Sequence, residues 1–481
     1  MNLVYWKNGL INKYKKLALP LKATIWFTVC AFLQKAFAVF TMPIFTRLMS
    51  TEEYGEYSVF VSVNSILTVI ITLNITSVLA TKGINRYGNN AEQFLVNVQF
   101  LGSCSVLFFS TILLCCSERF CTLFGINKIS LYFALAQIFV IPAFEIWSAK
   151  QRYEYNYRKI VIFTLSYLLI NSTVGVGVVF YASNKGEARI LSYCIIQIIL
   201  YGFLYVVNLK VHKVKLNWEM IGFALKFNLP LVPHGVANQV LARSDILMIQ
   251  YFQGTSYSGI YSLGYNIASL AVMLTTSINN VYVPWLYKKL DINDYVNIRK
   301  KSTYMLAVIF FCVTMMILVA PEIVKVFAPD TYAKAEYVIA PVAVGIAFTM
   351  VYTLFVNVEL YYEKTIMVML GTVGVAVLNI ILNCYFIPQY GFIAAAYTTL
   401  ISYIGYAIMH FICVIKLCGN RINVFEIYDI KRIWLLSIAQ IVMLFITIIL
   451  YPYCVLRYFL IVLGIIIVFI NRNNFKKKLK I

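Results

Sequence analysis

The chain has 481 residues, of which 61% are hydrophobic and only 12% are charged, and its mean hydropathy is +0.80. This composition excludes a soluble globular protein and is typical of a chain that crosses a membrane many times. The formal net charge of +21 would also fit a nucleic-acid-binding protein, but the placement of the basic residues, described below, argues against that class.

Apolar runs of about 18 residues or more recur along the chain, and each is long enough for a helix to cross a hydrocarbon core of roughly 30 Å. Helices are predicted rather than barrel strands, because unpaired backbone groups cannot face lipid and a barrel would show short alternating segments. The sequence therefore predicts an all-α polytopic membrane protein. Its predicted spans are 23–46, 57–79, 94–116, 129–148, 160–181, 188–208, 229–252, 259–283, 303–321, 337–361, 366–387, 391–415, 433–451 and 456–471.

The first predicted span is too long for the apolar region of a cleavable signal peptide, which has about 7–15 residues, so we expect it to remain as an anchor. Lys35 lies near its centre, too deep for the side chain to reach either membrane surface. We therefore expect Lys35 to face the protein interior, where it can either neutralise another buried charge or bind a cargo.

A short stretch between the first two spans recurs in the second half of the chain. "STEEYGEYS" (50–58) and "GTSYSGIYS" (254–262) match at four positions with an offset of 204 residues, and Gly186 and Gly391 open the sixth span of each half. Six spans per half is an even number, so both halves insert with the same orientation. This arrangement predicts two six-helix bundles related by a parallel repeat, as in transporters, followed by two extra helices.

The seventh predicted span begins with a sequence that should interrupt a helix. Pro230, Pro233 and Gly235 lie within six residues in "LPLVPHG", and prolines this close remove backbone donors and break or kink the helix. Such breaks occur near transporter binding sites and at hinges. His234, inside the break, either titrates near physiological pH or caps the freed carbonyl groups.

Arg243 and Asp245 lie deep in the same span, where each charge costs roughly 2.5–3.5 kcal/mol. Two residues correspond to about 200° around a helix, so each side chain needs its own partner. Both are either ties between helices or members of a site, in which the guanidinium of Arg243 would suit phosphate oxygens. Lys35, Arg243 and Asp245 together carry one positive charge, which favours an anionic cargo. Glu359 lies within a turn of a cytoplasmic end and is predicted to reach water.

The basic residues lie mainly in alternate loops. With a cytoplasmic N-terminus, 30 of the 40 Lys and Arg residues fall in cytoplasmic segments and 8 on the opposite side, as the positive-inside rule requires. We therefore predict two cytoplasmic termini and no nucleic-acid partner. The predicted division is a basic N-terminus 1–22, a bundle 23–208, a cytoplasmic linker 209–228, a bundle 229–415, a cytoplasmic loop 416–432, two helices 433–471 and a basic tail 472–481.

No segment outside the spans is long enough to fold into a catalytic domain; the longest non-cytoplasmic one, 322–336, has 15 residues. A nucleophile elbow, a phosphate-binding glycine loop and a metal-ligand motif are all missing from the sequence, and the cysteines form no C-x-x-C pair. The sequence therefore predicts that the protein is not an enzyme and holds neither a metal site nor a structural disulfide.

Three stretches carry a family resemblance: "MPIFTRLMSTEEYGEYSVF" (42–60), "FNLPLVPHGVANQVLARSDILMIQYF" (227–252) with "SGIYSLGYNIA" (258–268), and "LNIILNCYFIPQYGFIAAAYTTLISY" (378–403). They resemble the polysaccharide transporter family, the Wzx-type flippases of bacterial O-antigen and capsule synthesis, within the multidrug/oligosaccharidyl-lipid/polysaccharide exporter superfamily. The resemblance implies that an undecaprenyl-diphosphate-linked oligosaccharide is moved from the cytoplasmic to the periplasmic leaflet by alternating access.

The resemblance places an acidic residue at the position of Asp245, and the cargo that it implies suggests roles for the other deeply placed residues. Arg243 and Lys35 would bind the pyrophosphate of the lipid carrier, and Asp245 and His234 would be ion-coupling or structural residues. No cofactor is expected, and either a proton or a sodium ion would serve as the coupling ion. Membrane lipid, a polymerase and other polysaccharide assembly proteins are the expected partners. A drug or cation antiporter of the same fold and a membrane polymerase or ligase are the alternatives.

Overall fold

The computed structural model describes residues 17–211, 215–418 and 424–470, and helices make up nearly all of these ranges, in which no strand occurs. The basic tail 472–481, most of the basic N-terminus 1–22 and parts of the predicted cytoplasmic segments 209–228 and 416–432 lie outside the described residues.

The α-helices of the described residues are numbered here in chain order. They are α1 (Leu19–Leu48), α2 (Thr51–Ile71), α3 (Ser77–Tyr87), α4 (Ala91–Cys115), α5 (Ser117–Phe124), α6 (Lys128–Tyr153), α7 (Tyr157–Tyr181), α8 (Lys185–Val211), α9 (Trp218–Asn228), α10 (Val232–Gln253), α11 (Thr255–Ala268), α12 (Leu270–Asp291), α13 (Tyr295–Leu318), α14 (Ala320–Phe327), α15 (Glu336–Tyr361), α16 (Thr365–Tyr390), α17 (Phe392–Cys418), α18 (Val424–Ile427), α19 (Ile430–Ile449) and α20 (Cys454–Ile470). Short 3-10 helices lie at Gly88–Asn90, Leu229–Leu231 and Asp330–Ala335.

Within the described ranges, 12 segments are long and apolar enough to cross a membrane, and they coincide with twelve of the fourteen predicted spans. The seventh predicted span, which includes α10, is not among them, because the asparagine, glutamine, arginine and aspartate residues of α10 lower its hydropathy. The last predicted span is represented by a shorter apolar segment, Cys454–Ile466. The all-α polytopic membrane fold is confirmed, and the number of fourteen spans is compatible with it.

Contacts between residues divide the chain into two compact units. Unit 1 comprises Met1–Met49 and Val63–Gly235, and unit 2 comprises Ser50–Ser62 and Val236–Ile481. The start of α2 therefore belongs to unit 2, and the division falls within the first turn of α10. The segment boundaries predicted from the sequence remain a prediction.

Unit 1 buries neutral polar side chains. The Asn64 amide donates to Gln137 Oε1 (3.4 Å), the Gln137 amide donates to Gln197 Oε1 (2.6 Å), and the Gln197 amide donates to the Tyr167 hydroxyl (2.7 Å). Gln137 is fully buried. Because each of the three amide nitrogens finds an acceptor, this chain of hydrogen bonds lets polar groups lie inside an apolar bundle.

Unit 2 is built around α15, most of whose residues are buried. It packs against α12, α13, α17 and α19, so nearly every face of this helix meets another helix. A helix that is apolar all round is expected in such a central position.

The two stretches that carry the sequence repeat lie against each other within unit 2. A Cβ on Gly55 would lie 2.0 Å from the Thr255 carbonyl oxygen, and a Cβ on Gly259 would lie 2.1 Å from the Thr51 carbonyl oxygen. The hydroxyl groups of Thr51 and Ser256 are 2.6 Å apart. Gly55 and Gly259 correspond in the repeat, as do Thr51 and Thr255, so the contact is reciprocal. We call it the glycine crossing.

Candidate functional site

Asp245 is 1% exposed, and neutral side chains from three other helices surround its carboxylate. The Tyr261 hydroxyl of α11 donates to Oδ2 and the Asn383 amide of α16 donates to Oδ1, each at 2.6 Å. The Thr399 hydroxyl of α17 donates to Oδ2 as well. A buried carboxylate needs such donors, because an unpartnered one would be strongly destabilising.

A second layer of polar groups supports the first. Asn379 Oδ1 accepts hydrogen bonds from Ser244 Oγ (3.0 Å) and from Asn383 Nδ2 (3.2 Å), and the Thr398 hydroxyl donates to Asn383 Oδ1. The Asn379 amide nitrogen is buried and has no hydrogen-bond partner among the described residues. This group is called the Asp245 cluster, and it consists of Asp245, Tyr261, Asn379, Asn383, Thr398 and Thr399.

The Asp245 cluster holds one formal negative charge and several oxygen atoms close together. Within the described ranges no lysine or arginine forms an ion pair with Asp245. Carboxylate, amide carbonyl and hydroxyl oxygens are the ligands that hard cations prefer, and hydroxyl groups can rotate to present lone pairs instead of protons. The Asp245 carboxylate can therefore bind either a proton or a small cation, which would replace hydrogen bonds that the carboxylate now accepts.

Arg243 is half-buried on α10, two residues before Asp245. Its guanidinium forms no ion pair or hydrogen bond with the residues that the structure describes, and its electrostatic neighbour is Tyr265 of α11. Among the described residues, Arg243 therefore lacks the carbonyl or carboxylate partner that a connection between helices would require. Its predicted role in binding pyrophosphate remains a prediction.

Lys35 and His234 both belong to unit 1. Lys35 is exposed near the middle of α1, and its role in binding pyrophosphate also remains a prediction. His234 is half-buried in the first turn of α10, and its predicted function, structural or ion-coupling, is likewise untested.

The predicted break lies at the 3-10 turn Leu229–Leu231, which separates α9 from α10 and contains Pro230. Pro233 and Gly235 follow in the first turn of α10. A Cβ on Gly235 would lie 3.0 Å from the Asn74 side chain, so little space remains there. The role of this interruption as a hinge remains a prediction.

The structure adds residues that sequence reasoning did not select. Tyr261 lies in the stretch 258–268, and the asparagine and threonine members of the Asp245 cluster lie in 378–403. The repeat and the family resemblance mark these stretches, but neither assigns a role to these side chains. The prediction for Glu359 is wrong, because this residue is 1% exposed and pairs with His410. Hydropathy places Glu359 near a helix end but does not show that neighbouring helices enclose that end.

The chain is similar in sequence to known proteins. The Lsg locus protein 1 of Haemophilus influenzae is 20% identical over 338 residues, which cover 67% of this chain and 80% of that protein. The protein named probable flippase AglR of Haloferax volcanii is 28% identical over 174 residues, which cover 33% of this chain and 34% of that protein.

Solved structures of transporters share the fold. Lipid II flippase MurJ in an inward closed conformation matches with a TM-score of 0.73 at 16% identity, over 94% of this chain and 100% of that one. An inward-facing multidrug resistance MATE family transporter of the MOP superfamily matches with a TM-score of 0.60 at 14% identity, over 83% of this chain and 98% of that one. These similarities confirm the predicted fold. Residues 21–289, more than half of the chain, match the polysaccharide biosynthesis protein family, and the chain belongs to that family.

Proposed function

We propose that this protein is a flippase of the bacterial cytoplasmic membrane that moves an undecaprenyl-diphosphate-linked oligosaccharide, an O-antigen or capsule repeat unit, to the periplasmic leaflet. Membership of a polysaccharide biosynthesis family supports the cargo class, and the fold shared with transporters supports alternating access. No covalent chemistry is part of this proposal. A polymerase would then receive the translocated unit.

The observation that carries the proposal is the half-buried Arg243 without a carboxylate partner among the described residues. A guanidinium inside an apolar bundle is costly unless a ligand or water compensates for it. A pyrophosphate offers two negatively charged groups whose oxygens match the fork of arginine. An anionic lipid head group therefore fits this side chain better than a cationic drug does.

The Asp245 cluster supports a coupled cycle in which a proton or a sodium ion binds there. Either ion would neutralise a buried carboxylate that no described lysine or arginine pairs with. Binding energy at that carboxylate can then be used to favour one conformation over the other. Pro230, Pro233 and Gly235, at the interruption between α9 and α10, would serve as the hinge.

A drug or cation antiporter is the second candidate, and the observation that favours it is the same buried carboxylate, since a transporter of organic cations needs acidic groups. The likeness to MATE transporters agrees with that reading at the level of the fold. The unpaired Arg243 disfavours it, because a positive charge in the site would repel a cationic drug.

Deletion of the gene followed by extraction of lipids tests the proposal. If the protein is the flippase, complete undecaprenyl-linked repeat units should accumulate on the cytoplasmic leaflet, and wild-type protein should restore their export. Repeat units that already lie unpolymerised at the periplasmic face would instead indicate a polymerase. Normal polysaccharide with increased drug sensitivity would favour the antiporter and contradict the proposal.

A further inference from the structure

A buried pair of ionisable side chains lies in unit 2, apart from the Asp245 cluster. Glu359 is near the end of α15 and His410 is on α17, and both side chains are 0% exposed. His410 Nδ1 is 2.9 Å from each carboxylate oxygen of Glu359. Thr399 of the Asp245 cluster precedes His410 by eleven residues on α17, which corresponds to about 16 Å along a helix.

Neutral side chains enclose this pair. The rings of Tyr352 on α15 and Tyr406 on α17 lie 6.2 and 4.7 Å from the imidazole centroid, and Tyr406 is hydrogen-bonded to Thr372 of α16. The Cys413 thiol is close enough to Glu359 to interact with it electrostatically. The next cations along the two helices, Lys364 and Lys416, are exposed, and no lysine or arginine contacts the pair among the described residues.

The second ring nitrogen of His410 determines how many protons the pair holds. Nε2 is buried and has no hydrogen-bond partner in the described part of the chain, and a Cβ on Gly371 of α16 would lie 2.7 Å from it. A neutral imidazole that donates from Nδ1 to the carboxylate leaves Nε2 as an acceptor, which is the less costly group to leave unpaired. In that state the pair carries one net negative charge.

Uptake of one proton would remove this buried charge. The proton would bind either Nε2, giving an imidazolium beside a carboxylate, or a carboxylate oxygen, giving a neutral acid beside a neutral imidazole. The two groups share a hydrogen bond, so they titrate as one system. Both protonated states have a net charge of zero, whereas the unprotonated state does not.

We propose that Glu359 and His410 form a proton-binding site, separate from the Asp245 cluster, that exchanges one proton with the cytoplasmic side. The Glu359 carbonyl oxygen accepts a hydrogen bond from the Lys364 amide (2.9 Å), so the pair lies directly beneath the turn that ends α15. Glu363 and Lys364 in that turn are exposed, and the predicted topology places the turn in the cytoplasm. Only the direction of exchange rests on this topology, and proton binding requires no cargo.

Protonation can be measured on the purified protein in lipid nanodiscs. The chain has only three histidines, so nitrogen-15 labelling gives few signals, and the signal that disappears in His410→Gln identifies His410. As the pH is lowered over the range in which the protein stays folded, we expect the pair to bind one proton. This would appear either as a second protonated ring nitrogen on His410 or as a carboxylic acid band in the infrared spectrum that is lost in Glu359→Gln.

Two variants test whether the proton binds to this pair. In Glu359→Gln, His410 should stay neutral over the same range, because a buried imidazolium would have no counter-ion. The exposed neighbour substitution Glu363→Gln should leave the titration unchanged. If neither the ring nor the carboxyl group of the wild-type protein changes its protonation over that range, the pair only holds two helices together and the proposal is wrong. Loss of the titration in Asp245→Asn would also contradict a separate site. Neither outcome depends on whether the protein is a flippase.

Discussion

Arg243 and Asp245 lie two residues apart on α10, yet they differ in whether neighbouring side chains bind them. Asp245 accepts hydrogen bonds from three neutral side chains, so its burial is compensated within unit 2. Arg243 has no such compensation among the described residues. Removing the aspartate therefore disturbs a hydrogen-bonded network, whereas removing the arginine leaves no group of the described residues without a partner.

Arg243→Ala should weaken binding of a pyrophosphate-linked lipid by about 10- to 150-fold, because a hydrogen bond to an ionised group contributes roughly 1.5–3 kcal/mol and 1.4 kcal/mol corresponds to a factor of ten. Arg243→Lys should recover only part of the loss, since lysine lacks the bidentate fork. Lipid binding and thermal melting in detergent measure the two effects. A stable Ala variant with normal binding would remove Arg243 from the site.

Asp245→Asn should abolish gradient-dependent transport while the protein still inserts and folds. The neutral amide has the same shape, and the Tyr261 and Thr399 hydroxyl groups can accept from it as well as donate, but it cannot be protonated or balance a cation. Transport in proteoliposomes with an imposed sodium or proton gradient measures the effect. Normal gradient-dependent transport by the Asn variant would leave Asp245 with a structural role.

The sequence was sufficient to select Asp245, because a carboxylate inside an apolar run is costly wherever its helix packs. Its partners could not be predicted in this way. Asn383 and Thr399 lie 138 and 154 residues away along the chain, and only the packing of α16 and α17 against α10 brings them to the carboxylate. The error for Glu359 has the same origin, since burial at a helix end is decided by neighbouring helices.

At the scale of helices, local hydropathy predicted most spans, because a transmembrane helix makes its backbone hydrogen bonds within its own segment. Contacts between helices depend on shape, and the glycine crossing is the clearest case. The N-terminal ends of α2 and α11 approach so closely that two backbone carbonyl oxygens occupy the space where side chains would begin. The sequence repeat indicated that the two stretches correspond but not that they meet.

Gly55→Ala and Gly259→Ala should each destabilise the protein by about 1–3 kcal/mol, the usual cost of overpacking, because the obstacle is a backbone oxygen that cannot rotate away. Gly374→Ala on α16 is the matched control, since nothing lies within 4 Å of a Cβ there, and alanine suits a helix better than glycine. Melting temperatures in detergent would show the difference. Equal melting of all three variants would mean that the two helices separate easily.

At the scale of the whole chain, the distribution of charge predicts the orientation in the membrane. The basic residues lie 30 to 8 in favour of one side, and the positive-inside rule predicts that this side is cytoplasmic. This inference needs only the order of the spans, so it could be made from the sequence alone. The proposed directions of cargo and proton movement are both defined relative to this predicted orientation.

Single cysteines introduced at Leu216 and Ile292, in a background without the native cysteines, should resist membrane-impermeant thiol reagents in intact cells. Both positions are exposed, and both lie in segments predicted to be cytoplasmic. Ser183, exposed between α7 and α8, is the control on the opposite side and should be labelled. Labelling of Leu216→Cys or Ile292→Cys from outside would overturn the orientation.

The reciprocal form of the glycine crossing bears on how such a chain could have arisen. Each repeat presents a glycine to the carbonyl of the other, which is the pattern of an interface between two identical subunits related by a twofold axis. Two separate copies of a half-length ancestor would therefore already have possessed this contact before their genes were joined. Fusion would then have preserved an existing dimer interface, and the halves would have remained free to differ elsewhere.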